Sequence, residues 1–367
     1  MKVLLDGLFF NSSGFAEDNR MLFETLLTLG LDIQIIARDY SETMHSQLDE
    51  KRKSLVLPPT HNFQSLPVDL YICNIMAGSI KFFPFGKKNI ARTMFETDRL
   101  PSHWVNELNK FDQVWVASKF NQSTFTNSGV IKPIFIVPSF LDLSKYDING
   151  YVYPLSLNTQ FNFLSVFDWQ PRKGYDILIN AFLEEFHDDL DVGLIIKTYT
   201  LSTNLDPLNE INNIMARYEP KHRNCEIYVI NGTLNEYELI GLYRYSNAFV
   251  LPTRGEGWGR PLFEAMSLGL PTIATNWGGQ TEFMNADNSF LIDLDCIETI
   301  DSTHYPIFQG HMWAKPSTED LRKKMRYIVQ NTQEAVTVGM KAMNEIKSNY
   351  SLEKNVVLLR DIFNQIP

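Results

Sequence analysis

Short apolar runs alternate with longer segments of helical apolar spacing, and loops rich in glycine and proline separate them. Strands are predicted at residues 2–9, Asp32–Arg38, Val68–Cys73, Ile90–Thr93, Phe111–Ala117 and Val130–Val137. A second series follows at Phe161–Phe167, Val192–Lys197, Glu226–Ile230, Ala248–Leu251 and Pro271–Thr275. Helical spacing runs from about Glu17 to Thr28, from the Ser118 cap to Asn127, and over Ile177–Leu183 and Asn235–Tyr245. It returns after Pro261, over 317–330 and 333–348, and at Leu352–Phe363. Alternating strands and helices predict two doubly wound, Rossmann-like α/β domains with parallel sheets. The first spans 1–148 and the second 160–348, with 349–367 a final helix. The irregular stretch Lys145–Thr159 reads as the linker, and Tyr199–Pro220 as a polar insertion.

A chain of 367 residues suits two cores better than one. No apolar run approaches the roughly 18–20 residues that cross a bilayer. Asp6 interrupts the apolar N-terminus too early for a signal peptide, so this segment reads as a first strand. Three cysteines, Cys73, Cys225 and Cys296, lie far apart and suggest neither a disulfide framework nor a zinc site. A reducing, cytoplasmic setting is therefore expected. Residues 1–150 carry 15 basic and 16 acidic side chains, so nearly all of the net charge of −10 lies in the remainder. A general nucleic-acid surface is disfavoured. Residues 81–88, Lys-Phe-Phe-Pro-Phe-Gly-Lys-Lys, interleave aromatics with lysines. They fit a peripheral membrane contact, an acceptor-side loop or a partly buried turn.

The chemistry concentrates in residues 249–269. Strand Phe249–Leu251 stops at Pro252 and a glycine-rich loop, Arg254 to Gly259, leads to Pro261 and a helix. Backbone N–H groups and the helix dipole would then face a ligand lying over Gly257, Trp258, Gly259, Arg260, Pro261 and Leu262, which suits a phosphate. Glu256 in the loop and Glu264, expected in the first helical turn, are acceptors for sugar hydroxyls rather than phosphate ligands. The plainer alternative makes them a loop charge and a dipole-stabilising acid. A second loop after a strand, Asp168 to Asp176, places Arg172 and Lys173 beside another helix start, a ready anion site. The first loop, Asn11 to Ala16, contains Gly14 but no GxGxxG, which disfavours a dinucleotide oxidoreductase. Asn276–Glu282 forms a further glycine loop before a predicted helix. Glu96, after the strand at 90–93, is a candidate to orient or deprotonate an acceptor hydroxyl, with a solvated loop acid as the alternative. The Asp293-Leu294-Asp295 pair reads as a turn, and no cluster has metal-ligand spacing, so no metal is expected.

Glu256 and Glu264 within Pro252–Pro271 resemble the paired-glutamate motif of retaining glycosyltransferases of family 4, which have the GT-B fold. The resemblance covers nearly all of the second domain and the first only loosely. It implies two Rossmann-like domains facing an interdomain cleft, a terminal helix at 349–367 that crosses back to the first domain, and a hexosyltransferase-type activity (EC 2.4). The donor would be a nucleoside diphosphate-sugar, with no separate cofactor, and the acceptor a hydroxyl of a glycan, a lipid-linked sugar or another molecule. It implies that Gly14 backs onto the donor phosphates, that Glu256 holds the transferred sugar and Glu264 the ribose, and that Arg172 and Lys173 neutralise the leaving diphosphate. The chain departs from the pattern at Asp168, where many relatives carry an arginine. A nucleotide-sugar-binding protein without turnover is the alternative reading.

Overall fold

The computed structural model describes residues 1–11, 13–46, 50–57, 68–200, 206–217, 225–301 and 305–365. It divides into two compact units, Met1–Asp142 with Asn349–Pro367, and Leu143–Ser348. Each is built on a parallel sheet, and the architecture is that of GT-B glycosyltransferases.

The first unit contains β1 (Lys2–Gly7), α1 (Gly14–Thr28), β2 (Asp32–Ala37), α2 (Glu42–Ser46), α3 (Glu50–Lys53) and β3 (Val56–Leu57). It continues with β4 (Val68–Asn74), β5 (Gly86–Arg92), α4 (Ser102–Leu108), β6 (Gln113–Val116), α5 (Lys119–Asn127) and β7 (Ile134–Ile136). Among the described residues the strand order is β3-β2-β1-β4-β5-β6-β7. Helices cover the sheet, so Val3, Leu4 and Leu5 are all buried and the strand reads as a continuous apolar run. The last helix of the chain, Leu352–Phe363, places Leu359 and Ile362 in the same core as Leu22 and Leu26 of α1.

Two expectations for this unit need correction. Helix α1 begins at Gly14, not Glu17, because the Ser13 side chain accepts from the Ala16 N–H and caps an earlier turn. Gly14 is therefore an exposed helical residue rather than part of a loop, and Ser12 of the expected loop lies outside the described residues. The strand expected at 90–93 starts at Gly86, drawn into extended form by pairing with β4 from Val68↔Gly86 onward. Phe82 packs edge-on against Phe111 at 5.1 Å and Phe85 against Tyr71 at 5.2 Å, while Phe83 stays exposed. At the C-terminal end of β5, the fully buried Arg92 pairs with Asp18 at 3.1 Å, and Asn74 and Ser139 donate to the same carboxylate.

The second unit runs β8 (Phe161–Asp168), α6 (Tyr175–Phe186), β9 (Val192–Tyr199), α7 (Pro207–Ala216), β10 (Glu226–Asn231), α8 (Glu236–Tyr245) and β11 (Ala248–Leu251). Then come α9 (Arg260–Ser267), β12 (Thr272–Thr275), β13 (Phe290–Ile292), the antiparallel hairpin β14 (Leu294–Thr299) with β15 (Met312–Pro316), α10 (Thr318–Gln330) and α11 (Thr332–Asn349). The Leu352–Phe363 helix is α12. Its sheet has the order β10-β9-β8-β11-β12-β13. Progression runs outward one way through β8, β9 and β10 and the other way through β11, β12 and β13. The reversal lies between β8 and β11, and ligands of open α/β sheets sit at the strand C-termini of such a switch point.

The stretch expected as a polar insertion contains α7, with Pro207 at its start and Asp206 as N-cap, while 201–205 and 218–220 lie outside the described residues. The helix expected after Asn276–Glu282 is only a 3-10 turn, Gly279–Glu282, because that loop is held against the β11 loop. Asp293 lies between β13 and β14, and Asp295 is exposed on β14. Among the described residues no helix is long and apolar enough to cross a membrane, and no group of three or more His, Cys, Asp or Glu is placed to hold a metal.

Candidate active site

The loops that leave β8 and β11 meet at the switch point. After Asp168, Pro171–Lys173 form a 3-10 turn and Gly174 takes a left-handed φ of 69°. A Cβ at Gly174 would lie 2.0 Å from the Pro252 carbonyl oxygen, so only glycine lets the cationic turn rest against the β11 loop. The Arg254 N–H donates to the Arg172 carbonyl at 2.7 Å and locks the two loops together.

This contact brings the expected charges into one cluster. Lys173 Nζ donates to Glu256 Oε1 at 2.6 Å, and both residues are only 6% exposed. Arg172 lies 3.3 Å from the same oxygen and donates to the Gly255 carbonyl at 2.6 Å. Thr253 Oγ1 is also 3.3 Å from Glu256 Oε1, and Asp168 lies 3.7 Å from Lys173. Among the described residues every Glu256 side-chain contact falls on Oε1. Oε2 keeps its acceptor capacity, and an ionised carboxylate has about four lone-pair positions to use. Burial pushes the Glu256 carboxyl up, but Lys173 and Arg172 pull it down further, so it lies below the ordinary glutamate value. Asp168 is likewise held below its usual range, its burial outweighed by Lys173 and Arg172. Both are anions at neutral pH.

The start of α9 forms the other side. Gly259 is its N-cap at φ 89° with no side-chain cap, and Pro261 follows in the first turn. Glu264 sits in the second turn rather than the first and is buried. It leans back toward the helix start, where Arg260 Nε donates to Oε1 at 2.8 Å. Tyr243 of α8 donates to Oε2 at 3.0 Å. Burial, and after it the Glu264 charge, raise the Tyr243 phenol well above its usual pKa, so it remains a neutral donor.

Trp258 and Leu262 do not present side chains to the loop. Trp258 is 2% exposed and packs on Phe263 and Phe283, and Leu262 is fully buried. Indole and isobutyl groups at those positions secure the loop from below, which leaves backbone as the part that can meet a ligand. The second glycine loop clasps the first, and Gly279 N–H donates to the Glu256 carbonyl at 2.7 Å. A Cβ on Gly279 would lie 1.9 Å from the Gly257 carbonyl oxygen.

Arg254 joins these pieces and was not singled out by its sequence position. Its guanidinium grips Asp176 through both oxygens at 2.9 and 2.8 Å and donates to the Pro171 carbonyl. Its other neighbours are Glu298 at 3.5 Å and the face of Trp313, both on the β14–β15 hairpin. Tyr243 and Thr253 were also missed. Tyr243 reaches Glu264 through the fold from 21 positions away, whereas Thr253 lies three residues before Glu256 in the same loop. The remaining predicted residues, Gly14 and Glu96, belong to the first unit. Glu96 is half-buried just beyond β5, between the buried Phe95 and Thr97.

Residues 159–301, which hold the whole cluster, match the family model described as Glycosyl transferases group 1. A protein of Sulfolobus islandicus filamentous virus, provisionally named glycosyltransferase 45, is 22% identical over 78% of this chain and 73% of its own length. An uncharacterized glycosyltransferase of Methanocaldococcus jannaschii is 24% identical over 56% of the chain, which spans 49% of that relative. The crystal structure of Anabaena HepE in complex with UDP and glucose superposes with a TM-score of 0.73 at 15% identity, covering all of both chains. Sucrose-phosphate synthase from Thermosynechococcus elongatus gives 0.69 at 14% identity, over 100% of this chain and 98% of that one. Over residues 159–301 the chain is similar to the group 1 glycosyl transferases, and its fold is that of GT-B glycosyltransferases.

The clasp between the two glycine loops generates a prediction. Gly279→Ala forces the loops apart and costs about 1–3 kcal/mol of stability, as overpacking does. Urea unfolding checks the loss, and unchanged stability would contradict the packing described.

Proposed function

We propose that this chain is a retaining, family 4-type glycosyltransferase that moves a hexosyl group from a nucleoside diphosphate-sugar to an acceptor hydroxyl. The observation that carries the reading is the cluster at the β8/β11 switch point, where two cations converge on one oxygen of Glu256 beside an uncapped helix start. As the bond between the anomeric carbon and the diphosphate breaks, negative charge grows on the leaving phosphate. Lys173, Arg172 and the α9 N-terminus stabilise that charge without reorganising solvent. In this reading Glu256 Oε2 accepts a hydroxyl of the transferred sugar, and Glu264, oriented by Arg260 and Tyr243, accepts from the ribose. Backbone at Gly257–Leu262 lines the donor. The acceptor proton leaves with the nucleoside diphosphate. The fixed cations supply the charge a metal would otherwise provide, so the reaction is metal-independent. A sugar hydroxyl, on a glycan or a lipid-linked saccharide, is the acceptor class that fits.

UDP-glucose is the first donor to try, since HepE was crystallised with UDP and glucose, followed by GDP-, ADP- and dTDP-sugars. Glu256→Ala and Lys173→Ala each lower turnover by about 100-fold or more while remaining folded by circular dichroism. Glu264→Ala acts mainly by raising the donor KM. Wild-type rates in all three would overturn the assignment. Donor binding without nucleotide release in the unaltered chain would instead favour a binding protein.

Metal dependence is a separate expectation. Transfer rates in EDTA should equal those in buffer, and strict dependence on added Mn²⁺ would contradict the cationic mechanism.

A further inference from the structure

Lys197 lies on β9, two residues before its C-terminal end, and is 4% exposed. The other buried cations have partners: Lys173 has Glu256 and Arg92 has Asp18. Among the described residues Lys197 has no hydrogen bond and no carboxylate within ion-pair distance, and its recorded neighbour is the Tyr199 ring, 5.4 Å from Nζ. Burial pushes its ammonium pKa down, and among the described residues no anion opposes the shift. Partly desolvating an ammonium that has no protein acceptor costs stability, so a chain that keeps one gains elsewhere.

Its position indicates where. Parallel pairing sets Lys197 opposite Val166 and Tyr199 opposite Asp168. Partners in register share a sheet face, as do residues two apart on one strand. Lys197, Tyr199 and Asp168 therefore lie on one face at the strand C-termini, and Asp168 is 3.7 Å from Lys173. An ammonium offers three donors and no acceptor, so its natural complement is an anionic oxygen. We propose that Lys197 is a donor-binding residue that receives a phosphoryl oxygen of the nucleoside diphosphate. The ligand then supplies the counter-charge that the protein withholds. This inference rests on the nucleotide-sugar reading above.

Calorimetric titration of the full chain with UDP, GDP, ADP and dTDP, alongside the corresponding nucleosides, tests it. For the diphosphate that the unaltered chain binds, Lys197→Met weakens binding by about tenfold or more, the effect of one lost charged hydrogen bond. Binding of the bare nucleoside does not change, and the dependence of diphosphate affinity on salt becomes shallower. The melting temperature stays level or rises, because a buried unpaired charge has been removed. Lys197→Leu behaves the same way and guards against a peculiarity of methionine. Diphosphate affinity within twofold of the unaltered chain overturns the inference, and so does a lower melting temperature in both variants, which would mark Lys197 as structural. If the unaltered chain binds none of the four diphosphates, the donor reading falls, and this one with it.

Discussion

The second unit is organised by a buried ion pair between two loops. Lys173 leaves β8 and Glu256 leaves β11, and they meet at 2.6 Å with almost no water around them. Neither charge is tolerable there alone, because an uncompensated buried ion costs several kcal/mol. The pair therefore acts as a constraint on the backbone. It requires the loops to touch, and touching requires Gly174 against Pro252, while the loop after β12 adds Gly279 against Gly257. Arg254 then carries the same constraint outward, to the first turn of α6 through Asp176 and to the hairpin through Glu298 and Trp313.

The consequence for chemistry is preorganisation. Glu256 holds the two cations at a fixed spacing before any ligand arrives, so little side-chain entropy remains to be lost on binding. Its own ionisation is secured by them, which keeps an acceptor oxygen available at neutral pH. Glu264 is arranged by the same logic with different partners, one cation and one neutral phenol. Lys197 differs from both. Among the described residues it has no counter-charge, and that contrast makes it informative.

Much of the fold was legible because glycine, proline and apolar period mark it. The run from Phe249 to Gly269 announces strand, loop and helix, and Ser118 and Asn235 announce helix starts that the structure uses as caps. Misreadings came where tertiary contact overrides local pattern. Gly86 to Asn89 look like loop and become strand through pairing with β4. Tyr243 and Arg254 orient the site from 21 and 78 positions away from their partners, Glu264 and Asp176, a relation that no local window can contain. The Asp206-Pro207 pair, by contrast, was a readable helix start that composition obscured.

The central claim, that one buried ion pair holds the two loops in register, is tested most directly by a double-substitution cycle of Lys173→Met and Glu256→Gln followed by urea unfolding. The account predicts that the double variant loses less stability than the sum of the singles, with a coupling of about 1–3 kcal/mol, since each single change leaves the cluster of Asp168, Arg172, Lys173 and Glu256 with an unbalanced buried charge. Losses that simply add would contradict it.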